Sequence, residues 1–174
     1  MHKVSISIFV ASLFFFACQG EDSNAEETAE KTAETQTLYY ELLASGAQSG
    51  ITEPVDLIIE SEQQLDSIWQ KHYSYLSINP EPPDIDFDEE IVIGVFRGEQ
   101  PTTGYWVRLD SVYVAGDEQI IALTANAGPS EDRIVLQVVT QPFLIAAVAK
   151  TGKDIKLDFT IEEQPQGLQL RQGE

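Results

Sequence analysis

Side-chain hydrolysis needs a nucleophile, a base beside it and a group that orients the base, so histidine and cysteine are the first residues to locate. The chain holds two histidines and one cysteine. His2 stands at the head of an apolar leader and Cys18 directly after it, which leaves His72 as the single imidazole beyond the leader. Ser/His/Asp, Cys/His and zinc constellations are therefore excluded, and the chain reads as a non-enzyme that needs no cofactor and no metal. His72 closes an apolar helical stripe and is expected to be a boundary residue satisfied by a nearby carbonyl. The run "DIDFDEE", Asp84 to Glu90, alternates acids as a calcium loop does, but that loop needs Gly at its sixth position and Glu at its twelfth. Glu89 and Val95 stand there instead, and the run reads as a solvated strand entrance. No two carboxylates are singled out as a glycosidase pair.

The residues built for contact rather than catalysis lie in "RGEQPTTGYWVRLD", Arg97 to Asp110. Pro101 presets φ for a turn, Gly98 and Gly104 can take positive φ, and the span exceeds the two to five residues a hairpin needs. A defined loop ending in Tyr105 and Trp106 suits recognition, because rigid aromatics lose little entropy on docking. By strict alternation Tyr105, Val107 and Leu109 share one strand face, and Trp106, Arg108 and Asp110 the wetter one. The bland alternative places Trp106 under the helix or a loop, sealing the end of the fold.

The elements that must position this loop read mostly as strands. Residues 37–43, 55–60, 91–96, 105–114, 119–126, 133–140, 143–149 and 155–161 are short runs rich in β-branched and aromatic residues, separated by Gly, Pro, Asn and Asp. The run 91–96 is apolar throughout, as in a strand covered on both faces, with Gly94 allowing a bulge or a close neighbour. One segment is helical: "SEQQLDSIWQKHY" spaces Leu65, Ile68, Trp69 and His72 on one face, with Ser61 and Gln64 placed as a capping box. Its stripe, Trp69 included, is expected to pack on a sheet, and "NPEPPD" after it is a stiff connector. The fold class is mainly β, an antiparallel sandwich or partly open barrel with one amphipathic helix packed on it.

A chain of 174 residues with 43% hydrophobic residues supports one folded domain, placed at 37–174. Its formal net charge of −19 argues against nucleic acid and anionic lipid headgroups as partners. Residues 1–17 read as a signal peptide, a polar start followed by an apolar run too short to span a bilayer comfortably and by Ala17. Residues 18–36 carry six acids against Lys31 alone and no aliphatic larger than alanine, and read as a disordered acidic tether.

The stretch "FFAC" ending at Cys18 resembles the lipobox of bacterial lipoproteins, which implies lipidation at Cys18, cleavage before it and permanent anchoring. Gln19 lacks the Asp of an inner-membrane retention signal. The resemblance thus implies an outer-membrane lipoprotein of the bacterial envelope, facing periplasm or cell surface.

"ELLASGAQSGI", "IIESEQQLDSIW", "DFDEEIVIGVFRGEQPTTGY" and "VVTQPFLIAAV" together resemble the carboxy-terminal domain of the protease complex subunit PrcB family. That resemblance implies a non-catalytic accessory role beside a cell-surface protease. "QPTTGYW" is also similar to the first binding loop of chagasin-type cysteine-protease inhibitors, with Gln100 in place of their Asn. By that likeness Pro101, Thr102, Thr103, Gly104 and Tyr105 would enter a protease cleft, flanked by Asn126 to Ser130 and by Pro142 and Phe143.

The expected function is protein binding through Pro101 to Trp106, with Asn126, Gly128, Pro142 and Phe143 as flanks. Direct protease inhibition by the same loop is the second reading. A small-ligand binding protein, which needs an apolar pocket, is the third.

Overall fold

A computed structural model of the chain describes residues 35–131 and 133–163. The leader, Cys18 and residues 18–34 of the expected tether lie outside the described residues.

The order is β1 (Gln36–Leu38), β2 (Tyr40–Gly46), β3 (Pro54–Ile59), α1 (Glu62–His72), β4 (Glu90–Arg97), β5 (Val107–Ala115), β6 (Glu118–Asn126), β7 (Phe143–Ala149) and β8 (Asp154–Glu162). They form two four-stranded sheets, β1-β5-β6-β8 and β2-β7-β4-β3. The mainly β sandwich with one helix is as expected, except that β8 runs parallel to β6, which makes its sheet mixed. The chain leaves β7 in one sheet and crosses at Lys150 to Lys153 into the other, entering it alongside β6 in the same direction.

Strands β4 and β7 are buried on both faces because they sit in the middle layer. Ile91, Ile93 and Val95 meet Leu123, Leu144 and their neighbours in the core between the sheets. Val92, Phe96 and Ile145 face the other way, onto Leu65 and Trp69 of α1. Gly94 makes no bulge, since β4 keeps continuous register with β3 and β7. It makes room for a ring: a Cβ there would lie 3.1 Å from the Phe96 ring.

The helix forms where its signals place it. The Ser61 hydroxyl accepts from Gln64 N–H at 3.4 Å as expected, whereas Gln64 Oε1 reaches one residue beyond the cap and accepts from Glu60 N–H at 2.9 Å. Trp69 is core as expected, and its indole N–H donates to the Pro80 carbonyl at 3.1 Å, tying down the connector.

His72 departs from expectation. It is fully buried, with Phe143 and Tyr73 rings at 4.1 and 4.3 Å between centroids. The Nδ1 atom pairs with the Ser49 hydroxyl at 2.9 Å rather than with a carbonyl, and Nε2 has no partner among the described residues. Helical spacing aims the residue inward, and the turn Ser49 to Ile51 covers it.

The run 133–140 is not a strand. The strands it connects, β6 and β7, and the strands next to them, β5 and β4, each already have two neighbours, and the segment pairs with none of them. It lies over the end of the sandwich in an irregular course, ending in one bridge between Thr140 and Gln100.

Candidate functional site

The loop after β4 begins at Gly98, whose φ of +67° and tight surroundings admit no other residue without strain. A Cβ there would stand 2.8 Å from the Pro54 nitrogen. Glu99 N–H then donates to Thr52 O at 2.9 Å, and Gln100 and Thr140 exchange backbone hydrogen bonds of 2.7 and 2.9 Å. The Thr140 hydroxyl donates to Thr102 O, and Thr103 N–H donates to Leu136 O at 3.1 Å. Leu136 N–H in return donates to the Thr103 hydroxyl at 3.0 Å.

The far half of the loop is held by one amide. Asn126, at the end of β6 and 1% exposed, donates from Nδ2 to Gly104 O at 2.8 Å and to Gly128 O at 2.9 Å. Its Oδ1 accepts from Trp106 N–H at 2.8 Å and from Arg97 at 3.1 Å. All four hydrogen-bonding capacities used here converge on the loop and its neighbour, so the loop is preshaped. Gly104, at φ +97°, packs on Pro129 and Val135, and Gly128 lies under the Tyr105 ring.

Two cations steady the aromatic pair. Arg97 donates to Trp106 O at 3.0 Å, and its guanidinium lies 5.8 Å from the Tyr105 ring centre. Burial lowers its pKa from the ordinary value, and Tyr105 opposes that shift. Arg108 lies 4.8 Å from the Trp106 ring centre and is itself fixed by Asp110, Nε to Oδ1 at 2.6 Å. Partial burial pushes the Asp110 carboxyl up, but hydrogen bonds from Thr124 and Arg108 outweigh it and hold the group below the usual carboxylate range.

The structure therefore brings the loop, Asn126 to Ser130 and the 133–140 segment together at one end of the sandwich. Val107 and Leu109 point inward and Arg108 and Asp110 outward, as alternation requires. Pro101 is exposed, whereas Thr102, Thr103, Gly104, Tyr105 and Trp106 are half-buried. Three expected contact residues are corrected. Asn126 is a buried staple of the loop, Pro142 is buried, and Phe143 is 6% exposed in the core beneath α1. Phe143 opens β7, whose register with Phe96 sends its ring to the helix side. The chagasin-like arrangement thus loses its third contact.

Sequence reasoning passed over the surface beside the loop. Ile134 is 97% exposed, and Leu136, Val138 and Val139 are exposed as well. Their β-branched pattern signalled a strand, and the structure shows them instead as an exposed apolar ridge outside both sheets. Among the described residues no three His, Cys, Asp or Glu side chains gather as metal ligands.

Residues 91–149 match the family model described as PrcB C-terminal, a span from the first core residue of β4 through the loop to the end of β7. The family resemblance is shown for that span. No curated protein and no solved structure matches the chain.

Proposed function

We propose that this chain, as a bearer of a PrcB C-terminal domain, is a non-catalytic accessory subunit of a protease complex at the bacterial envelope and docks its partner through Pro101 to Trp106. The observation that carries the reading is the loop's construction. A segment bonded at both arms and stapled by Asn126 keeps Tyr105 and Trp106 half-exposed, next to the apolar ridge Ile134 to Val139. Exposed apolar surface of this kind, beside aromatics already ordered, lowers the entropic cost of association.

The test is partner capture. The double variant Tyr105→Ala/Trp106→Ala, expressed in the native envelope and cross-linked, is expected to recover its partner at least about tenfold less well than the parent, the loss typical of a truncated aromatic anchor. Equal recovery of the same proteins overturns the docking role. A pair of changes at exposed positions of α1, Gln63→Ala and Gln70→Ala, serves as the unaffected control.

Anchoring is the second part of the proposal, resting on the position of Cys18 in the sequence. Two or three acyl chains hold a protein far more firmly than one, at about 0.8 kcal/mol per buried methylene. Cys18→Ser is expected to move the protein from the membrane fraction to the soluble fraction of lysed cells. Continued sedimentation with membranes after a high-salt wash refutes lipidation as the anchor.

A further inference from the structure

The two sheets are joined on one side by the chain itself, since β1 runs into β2, and stay apart on the other, where β3 and β8 are the edges. Among the described residues β3 pairs with β4 alone and β8 with β6 alone, so each has one row of backbone groups free for pairing. Register shows what the edges present to the space between them. Asp56 stands opposite Val95 and Ile58 opposite Ile93, and both partners belong to the core between the sheets. Phe159 stands opposite Leu123 and Ile161 opposite Ala125, again core residues. Directly paired residues share a face, so these four edge side chains point inward.

They are nevertheless not covered. Phe159 is 37% and Ile161 55% exposed, and Ile58 and Asp56 are exposed too. Three of them, Asp56, Phe159 and Ile161, border a cleft of about 390 Å³ that Val95, Arg97, Val107 and Ala125 also line. Its one carboxylate, Asp56, makes no ion pair among the described residues. Partial burial pushes that carboxyl's pKa up, and Arg97, which lines the same cleft, is engaged by Trp106 O and Asn126 Oδ1 instead.

We propose that the β3–β8 seam is a strand-accepting groove, filled by an extended segment of a partner protein that has apolar residues at alternate positions and a lysine or arginine facing Asp56. The segment's backbone hydrogen-bonds along the free edge of β8, and its inward side chains complete the layer that Ile58, Phe159 and Ile161 leave open. Charge selects this occupant over a second copy. Edge-to-edge pairing of two copies would bring together β8 strands that each hold three acids, Asp154, Asp158 and Glu162, against Lys156 alone, on chains that each carry −19. A basic segment instead gains at Asp56. The seam is separate from the aromatic loop and does not depend on its role.

The experiment uses the full chain and three synthetic nine-residue peptides: one alternating Ile or Val with Thr around a central Lys, one of the same composition with the alternation scrambled, and one with the Lys changed to Glu. Binding is read by fluorescence anisotropy. The alternating Lys peptide is expected to bind at least about tenfold tighter than either control. Ile161→Lys, a change at an exposed position, is expected to remove that advantage, and Asp56→Asn to erase the preference for Lys over Glu. Trp106→Ala is expected to leave peptide binding unchanged, which separates this groove from the docking loop.

Equal affinity for alternating and scrambled peptides overturns the proposal. So does loss of binding in Trp106→Ala, which assigns the peptide to the loop. Concentration-dependent dimerisation abolished by Ile161→Lys, without peptide binding, assigns the seam to a second copy. Binding that emerges only after deletion of residues 164–174 assigns it to the chain's own terminal segment.

Discussion

Asn126→Leu is expected to destabilise the domain by about 3–4 kcal/mol in urea denaturation and to abolish partner capture in the same preparation. Leucine matches asparagine closely in size, so the loss is polar rather than steric. The change strips partners from Gly104 O, Gly128 O, Trp106 N–H and Arg97 at once. Each buried group left unpaired costs roughly 1–3 kcal/mol, and water reaching the half-exposed loop recovers part of the sum. Hydrogen exchange localises the effect: the amide of Trp106 is expected to exchange faster by at least about a hundredfold, while those of β4 and β7 follow global stability alone. Asn126→Asp is the discriminating companion. It keeps the acceptor for Trp106 and Arg97 but sets an oxygen against the two carbonyls, so it is expected to fall between parent and Asn126→Leu. If Asn126→Leu retains both stability and capture, the amide does not organise the loop.

Acidification is expected to weaken the fold through His72, by about 3 kcal/mol between pH 7 and pH 4. Burial lowers its pKa from 6.5 to about 4, because desolvation among the surrounding aromatic rings disfavours the charged imidazolium. The unfolded chain takes up this proton below about pH 6.5, whereas the folded chain refuses it until about pH 4. The stabilising contribution is therefore complete above pH 6.5 and is lost as pH falls through that window. Titrating carboxylates add their own dependence, so the measurement is a difference: stability of His72→Leu against the parent, each in urea at several pH values. The variant's curve is expected to be flatter across pH 6.5 to 4. Parallel curves refute the assignment to His72.

Much of the fold was legible because two periods dominate it. Alternation marked Val107 and Leu109 as inward, and spacing of three and four marked Leu65, Trp69 and His72 as one helical face. The middle layer showed itself as unbroken apolar runs in β4 and β7. What misled was context that no local pattern contains. Residues 133–140 have strand composition but connect β6 and β7, which each already have both neighbours, and the parallel entry of β8 depends on where the chain crosses between sheets.

The candidate site divided along the same line. Its loop was visible in Pro101, Gly98 and Gly104, whose backbone preferences act locally. The staple was not, because an asparagine after a strand looks like any turn residue until its amide is seen to reach a loop twenty residues earlier. Phe143 shows the converse. A Pro-Phe pair near a loop suggested an exposed aromatic, and sheet register turned the ring into the core.

The pairing pattern also bears on how this molecule comes into being. Its first strand finds its neighbour in β5, and β6 waits for β8. Distant pairings of this kind close slowly. Until the carboxy-terminal stretch has emerged, β6 lacks its outer neighbour and the inward side chains of β8 cannot pack, so that side of the sandwich is completed last.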